Sequence, residues 1–268
     1  ESMTEEGFKY SILASGSSGN SFYLETPKKK LLIDAGLSGK KITGLLAEID
    51  RKPEDLDAIL ITHEHSDHVS GLDTFFRHYS VPVYGCADTL DTLYSRGTIP
   101  PALDAIAMDG RTEDIGTFRV SSFPTSHDVP CCGYRVTTPD GHIMALATDL
   151  GVLTPVVQEN LAGCSLVALE ANYDSFSLHG GPYPYYLKVR IASDRGHLDN
   201  RACAAELLDL IQDGCKKFAL CHLSQTNNSP ELVMTTVYNV LLAAGIQPGR
   251  DVLIQTQSRS EVSPYIEF

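Results

Sequence analysis

Thr62-His63-Glu64-His65-Ser66-Asp67-His68 is the stretch on which the reading of this chain turns. It follows Ala58-Ile59-Leu60-Ile61, an apolar run of the length of a buried strand, and precedes residues 69–79, whose apolar positions recur at helical spacing. His63 and His65 lie two apart, so in an extended segment both side chains leave the same side. Asp67 and His68 come where the chain must turn into the helix, and Asp67 is placed to cap it. Two imidazoles thus approach from one direction, a carboxylate and a third imidazole from another. That mixture suits zinc or a similar divalent ion. It also suffices for two neighbouring ions, because neither pair wraps one ion alone without strain. The bland alternative is three surface histidines at a helix start. The strand before and the helical pattern after favour a metal site.

Outward from that stretch, the first half reads as strands feeding helices. Residues 8–14 and 22–25 are predicted strands joined by the turn Ser15-Gly16-Ser17-Ser18-Gly19-Asn20-Ser21. A third strand, 30–34, ends in Ala35-Gly36, and Ser38 caps a helix whose Ile42, Leu45, Leu46 and Ile49 share one face. Residues 81–84 read as a strand. Further on, strands are expected over 118–122, 133–137, 143–147, 166–169, 217–221 and 252–255. Thr154-Pro155, Asn200 and Ser229-Pro230 look like helix starts. Strands in both halves with helices outside them predict two β-sheets packed face to face under helical cover. No Pro-, Gly- or Ser-rich linker divides the chain, so a single domain over residues 3–268 is expected.

The bulk numbers exclude several classes. The longest apolar runs are strand-sized, far short of the roughly 20 residues that span a bilayer, so no membrane partner is expected. Seven cysteines, an odd number with no Cys-x-x-Cys pair, argue against a disulfide framework or a zinc ribbon and point to a reducing cytoplasm. Lys and Arg number 21 against 34 Asp and Glu, a net charge of −13. Charge alone weighs against a nucleic-acid partner, but an acidic metal site is neutralised by its own cations.

Thr62-His63-x-His65-x-Asp67-His68 resembles the signature of the metallo-β-lactamase superfamily. Leu31-Leu32-Ile33-Asp34-Ala35-Gly36 resembles its early Asp-x-Gly strand end. Ser126-His127-Asp128-Val129-Pro130, with Gly133-Tyr134, resembles the third-motif histidine of the ribonuclease Z-like branch. Ala147-Thr148-Asp149-Leu150-Gly151 resembles the bridging aspartate, and Leu220-Cys221-His222-Leu223-Ser224 the last histidine. The serine- and glycine-rich turn at 15–21, Gly196-His197-Leu198-Asp199-Asn200 and His222-Leu223-Ser224-Gln225-Thr226-Asn227-Asn228 together resemble the bacterial YycJ/WalJ-type exonuclease family, over about residues 8–255.

The resemblance implies an α/β fold, an αββα four-layer sandwich of two mixed sheets flanked by helices. It implies a metal-dependent phosphodiesterase, a 5′→3′ DNA exonuclease acting at the end of a duplex. It implies two divalent metal ions, for which zinc, manganese and iron suit the ligands equally, about 3.5–4 Å apart as in other two-metal hydrolytic sites. His63, His65 and His127 would hold the first ion, Asp67, His68 and His222 the second, and Asp149 would bridge them. A hydroxide bridging the ions would be the nucleophile, which makes Asp67 and Asp149 catalytic as well as ligands. Asp34 either orients a ligand histidine or is a strand-end turn residue. By the same resemblance His197 faces the scissile phosphate as a catalytic acid or charge stabiliser, against the alternative of a surface histidine at a helix start.

Substrate contacts are expected at two loops and one helix. Ser17, Ser18 and Asn20, and Thr226, Asn227 and Asn228 before the cap at Ser229, offer small residues and backbone N–H groups to phosphate. A plain hairpin turn and a plain cap are the alternatives. Tyr183-Pro184-Tyr185-Tyr186-Leu187-Lys188-Val189-Arg190 interleaves aromatics with cations and leads toward Arg195, His197 and Arg201. Tyr186, Lys188 and Arg190 are the expected contacts to a DNA strand, an amphipathic helix with a solvated basic face being the alternative. His78, His142 and His179 have no such context.

Two other functions deserve weight. A thioesterase or lactonase of the same fold would use the same ligands. The sequence around His127 and the presence of His197 favour phosphodiester cleavage. A non-catalytic metal-binding regulator would have lost a ligand, and none is missing. No obligate protein partner is readable.

Overall fold

In the computed structural model, residues 9–16, 18–256, 262, 264, 266 and 267 are described. Ser17, one of the expected phosphate contacts, lies outside them. The first sheet contains β1 (Lys9–Ala14), β2 (Ser21–Glu25), β3 (Lys30–Ile33), β4 (Ala58–Leu60), β5 (Val83–Gly85), β6 (Ala105–Ala107) and β14 (Ile266–Glu267), in the order β14-β1-β2-β3-β4-β5-β6. Pairing is antiparallel from β14 to β3 and parallel from β3 to β6. The second sheet contains β7 (Thr112–Ile115), β8 (Phe118–Pro124), β9 (Cys132–Thr137), β10 (Ile143–Ala147), β11 (Leu166–Glu170), β12 (Lys217–Cys221) and β13 (Leu253–Thr256), in the order β13-β12-β11-β10-β9-β8-β7. Here β10 through β13 run parallel and β7 pairs antiparallel with β8. Both sheets are mixed and both carry helices, as expected.

The chain divides into two compact units: Glu1–Ser122, Val136–His142 and Arg259–Phe268 in one, Phe123–Arg135 and Ile143–Ser258 in the other. Each has its own core. In the first, α1 (Gly39–Glu48), α3 (Leu72–His78) and α4 (Ala87–Ser95) set Ile42, Leu45, Leu46, Phe75 and Leu93 against Leu32, Ile59 and Val83 of the sheet. The Ser38 hydroxyl caps α1 by accepting from the Lys41 amide at 3.3 Å. In the second, α5 (Pro155–Leu161), α8 (Asn200–Gln212) and α9 (Pro230–Ala243) set Val157, Leu207, Val233 and Val237 against Val167, Leu169, Phe218 and Leu220. Thr154 and Ser229 cap α5 and α9 as expected.

Three local expectations are corrected. The helix expected over 69–79 is two helices, α2 (Ser66–Val69) and α3, broken at Ser70-Gly71. A Cβ on Gly71 would stand 1.8 Å from the Leu37 carbonyl oxygen, so the chain turns where only glycine allows the approach. Asp67 is inside α2 and His65 is its N-cap residue, which leaves the Asp67 carboxylate uncommitted to capping. Asp199, not Asn200, caps α8, accepting from the Ala202 amide at 2.6 Å.

Candidate functional site

In the first unit the site grows from the parallel pair β3 and β4. Asp34 directly follows β3 in a left-handed conformation, φ 61°. Its carboxylate accepts from the Thr62 amide at 2.8 Å and the Thr62 hydroxyl at 2.7 Å, and takes the His68 Nδ1 proton at 2.6 Å. Asp34 thus serves both as the turn residue and as the group that orients a histidine. A carboxylate only accepts here, so Nδ1 of His68 is the protonated nitrogen and Nε2 is the lone pair, 3.4 Å from Asp67 Oδ2. The Thr62 hydroxyl, having given its proton to Asp34, accepts from His63 Nδ1 at 3.0 Å, which exposes the His63 Nε2 lone pair in the same way. The ring of His63 lies 4.7 Å from that of His65 and 4.1 Å from that of His68. Burial pushes the Asp34 carboxyl up and outweighs His68 and Thr62, which pull it down.

Asn20 is buried and locks this segment. Its amide N–H and side chain both donate to the Asp67 carbonyl, at 2.8 and 3.2 Å, and its side-chain carbonyl accepts from Gly16. The side-chain amide of Asn20, expected as a phosphate contact, is engaged inside the fold. Ser18 is exposed.

In the second unit three parallel neighbours deliver their C-terminal ends together, the edge where ligands bind in such sheets. Asp149 lies two residues past β10, Glu170 ends β11 and His222 follows β12. Asp149 and His222 are again left-handed, φ 58° and 59°. Asp149 Oδ1 stands 3.6 Å from His127 Nε2 and 3.5 Å from His222 Nε2. His127 Nδ1 donates to the Gly196 carbonyl at 3.0 Å, and His222 Nδ1 to Glu170 Oε2 at 2.7 Å, so both present Nε2 as a lone pair. His197 Nδ1 donates to the same Glu170 oxygen at 2.9 Å. Its ring is 5.3 Å from that of His127 and stacks on that of His222 at 5.2 Å.

Glu170 is the functional residue that sequence reasoning missed. It is fully buried, and its second oxygen accepts from the Leu198 and Leu150 amides at 3.0 and 3.3 Å. Burial works to raise its carboxyl, but His197 and His222 outweigh that and hold it low. Burial works to lower His197, and Glu170 outweighs that and raises it. His127 goes the other way: burial lowers it, and Asp149 offsets this only in part.

Tyr186, Lys188 and Arg190 are on α7 (Tyr185–Ala192), the first exposed, the second donating to the His179 carbonyl at 2.8 Å, the third paired with Asp128. Thr226 is exposed, whereas Asn227 and Asn228 are buried, and Asn228 forms a reciprocal amide pair with Asn200. Asn227 differs from Asn20: it is buried, but its side-chain amide nitrogen and oxygen have no hydrogen-bond partner among the described residues.

The donor sets fit divalent metal. His63, Asp67 and His68 form one group in the first unit, and Asp149, Glu170, His197 and His222 form another in the second; within each group the ligand atoms lie within 4.8 Å of one another. Atoms bound about 2.0–2.1 Å from one tetrahedral ion stand roughly 3.3 Å apart. The Asp67–His68, Asp149–His127 and Asp149–His222 separations match that spacing. His63, His68, His127 and His222 each also give the other ring proton to an oxygen, the arrangement that fixes a metal ligand's tautomer.

Residues 14–222 match the family model of the metallo-beta-lactamase superfamily, and this chain belongs to that superfamily and, within it, to the WalJ/YycJ family. The chain is 44% identical to "Exodeoxyribonuclease WalJ" of Streptococcus pneumoniae, over 99% of this chain and all of that one. It is 38% identical to "Exodeoxyribonuclease YycJ" of Bacillus anthracis, over 91% of this chain and 92% of that one. Its fold is that of the metallo-β-lactamase fold protein YhfI from Bacillus subtilis, with a TM-score of 0.72, 16% identity, and coverage of 96% and 99%.

Proposed function

We propose that this protein is a metal-dependent exonuclease that shortens DNA from the 5′ end of a duplex. One observation carries the reading: the likeness to proteins named exodeoxyribonucleases extends over the whole length, including every strand end that bears a candidate ligand. The proposed ligands are His63, His65 and His127 for one ion and Asp67, His68 and His222 for a second, with Asp149 shared. Two divalent cations, when bound, bring the acidity of water near neutrality and offset charge on the attacking and leaving oxygens.

The chain's own residues do the rest. Asp34 and Glu170 hold the imidazoles in the tautomer that binds metal. His197 is gripped at Nδ1 by Glu170, which favours its doubly protonated form, and as the imidazolium it would give the Nε2 proton to the leaving oxygen and be left neutral. Ser17, Ser18 and Thr226 are proposed to meet phosphate, and Tyr186, Lys188 and Arg190 the strand. A cytoplasmic location is supported by seven free thiols, and among the described residues no helix is long and apolar enough to cross a membrane.

The test is a duplex labelled at its 3′ end and incubated with protein and zinc or manganese. The label should pass into progressively shorter strands while closed circular DNA survives. Nicking of the circle, or rapid thioester hydrolysis with no cleavage of nucleic acid, overturns the reading.

A further inference from the structure

Residues 175–193 contain no Asp or Glu, in a chain of net charge −13, but they contain His179, Lys188 and Arg190. They form α6 (Ser175–Gly180) and α7. No residue of α7 is buried. A helix normally hides an apolar stripe in the core. Here Tyr185, Tyr186 and Val189 are 82%, 74% and 51% exposed, and Phe176 of α6 is 88% exposed. Such a set of large apolar groups at the surface marks a contact site.

Tyr185 and Val189 belong to a cleft of about 560 Å³, lined by His179, Tyr185, Lys188, Val189, Ala192 and Ser193. That is within the size range of small-molecule pockets, roughly 300–1,000 Å³. An aromatic ring and two aliphatic side chains supply apolar wall. The Lys188 ammonium is held at the rim by its bond to the His179 carbonyl, 2.8 Å away. A flat apolar wall beside a fixed cation complements a nucleobase joined to a phosphate. The far end of the cleft is tied to His197: the His197 amide donates to the Ile191 carbonyl and the Gly196 amide to that of Ser193, each at 2.9 Å.

We infer that the α6–α7 cleft is a docking site for an unpaired stretch of DNA, one base stacking on Tyr185 while its phosphate meets Lys188. The inference rests on the exonuclease reading for the identity of the strand. A base lodged there stands at a fixed distance from His197, so the cleft would register the strand on the reacting centre. Paired bases cannot present their faces to the wall, which makes the site selective for an unpaired strand over a blunt duplex.

Fluorescence anisotropy of labelled twenty-nucleotide oligothymidylate, with chelator present to prevent cleavage, tests this. Tyr185→Ala and Val189→Asp each weaken binding about tenfold, the cost of one lost stack. Lys188→Gln lowers the log–log salt slope by about 0.7. A blunt duplex binds the variants within about twofold of the wild type. Both sites are exposed, so thermal melting should be unchanged and confirm folded variants. Unchanged oligonucleotide affinity in both variants overturns the cleft, as does an equal loss on blunt duplex, or a response to phosphatidylglycerol vesicles and none to the oligonucleotide. Tenfold losses in a protein whose metal-loaded wild type degrades no DNA support the cleft and overturn the exonuclease reading.

Discussion

Three residues around the candidate ligands, Asp34, Asp149 and His222, hold left-handed backbone that side chains rarely adopt. Each such residue costs roughly 1–3 kcal/mol, and the surrounding bonds must over-determine it. For His222 those bonds are the Asn172 amide on its carbonyl at 2.9 Å and Glu170 on its ring. Glu170 is the hub, since one oxygen serves His197 and His222 together. Glu170→Gln replaces that acceptor by an amide that also carries donors, and a ring that loses its acceptor is free to flip. We expect Glu170→Gln and His197→Ala each to lower kcat on DNA by 100-fold or more, on the order of a lost general acid. His197→Ala should keep its full metal content by elemental analysis; loss of metal would make His197 a ligand, and near-normal kcat a bystander. Glu170 was hidden in the sequence because the strand before it, Leu166 to Leu169, ends on its last apolar residue, and a carboxylate there reads as the solvent end. The available signal was repetition: Asp34 follows Ile33 and His222 follows Cys221 in the same way. The histidines of residues 62–68, by contrast, were legible because metal-ligand chemistry is packed into consecutive positions.

At the scale of elements, parallel strands explain the convergence. β10, β11 and β12 are adjacent and in register, so chemistry at their C-terminal tips arrives on one edge without further design. Most strands and the three capped helices were readable, because apolar runs and cap residues are local signals. β7 was not: Thr112-Glu113-Asp114-Ile115 is an outer strand with a single buried side chain and no alternation to detect. The break between α2 and α3 was also invisible, because its cause is tertiary, the Leu37 carbonyl crossing over Gly71. That contact gives glycine opposite meanings at two sites. Gly71→Ala forces backbone apart and should cost about 1–3 kcal/mol, as overpacking does. Gly44, inside α1 with nothing within 4 Å of an added Cβ, should gain about 0.5–1 kcal/mol as alanine. Chemical denaturation of both variants checks the pair. Equal signs would show that the Leu37 contact is not what selects glycine at 71.

At the scale of the whole molecule, each unit has its own core and each supplies candidate ligands. Cations that bind only the folded chain stabilise it by mass action, about 4 kcal/mol when present at a thousand times the dissociation constant. Stripping the protein with chelator should lower the melting temperature by on the order of 10 °C, with recovery on adding zinc or manganese. A melting temperature indifferent to chelator and to added metal would argue against tight binding by these residues.

The exposed face of α7 has a consequence for the history of such a protein. Leu187 and Ile191 of α7 are half-buried, but its outer positions Tyr185, Tyr186 and Val189 are exposed, so substitutions at those positions hardly enter the folding free energy and largely escape the stability threshold that purges most others. The fold therefore leaves those outer positions open to change with the substrate while the strand tips that bear the ligands stay fixed. A lineage wanting a new substrate would be expected to rewrite this helix first and the imidazoles last.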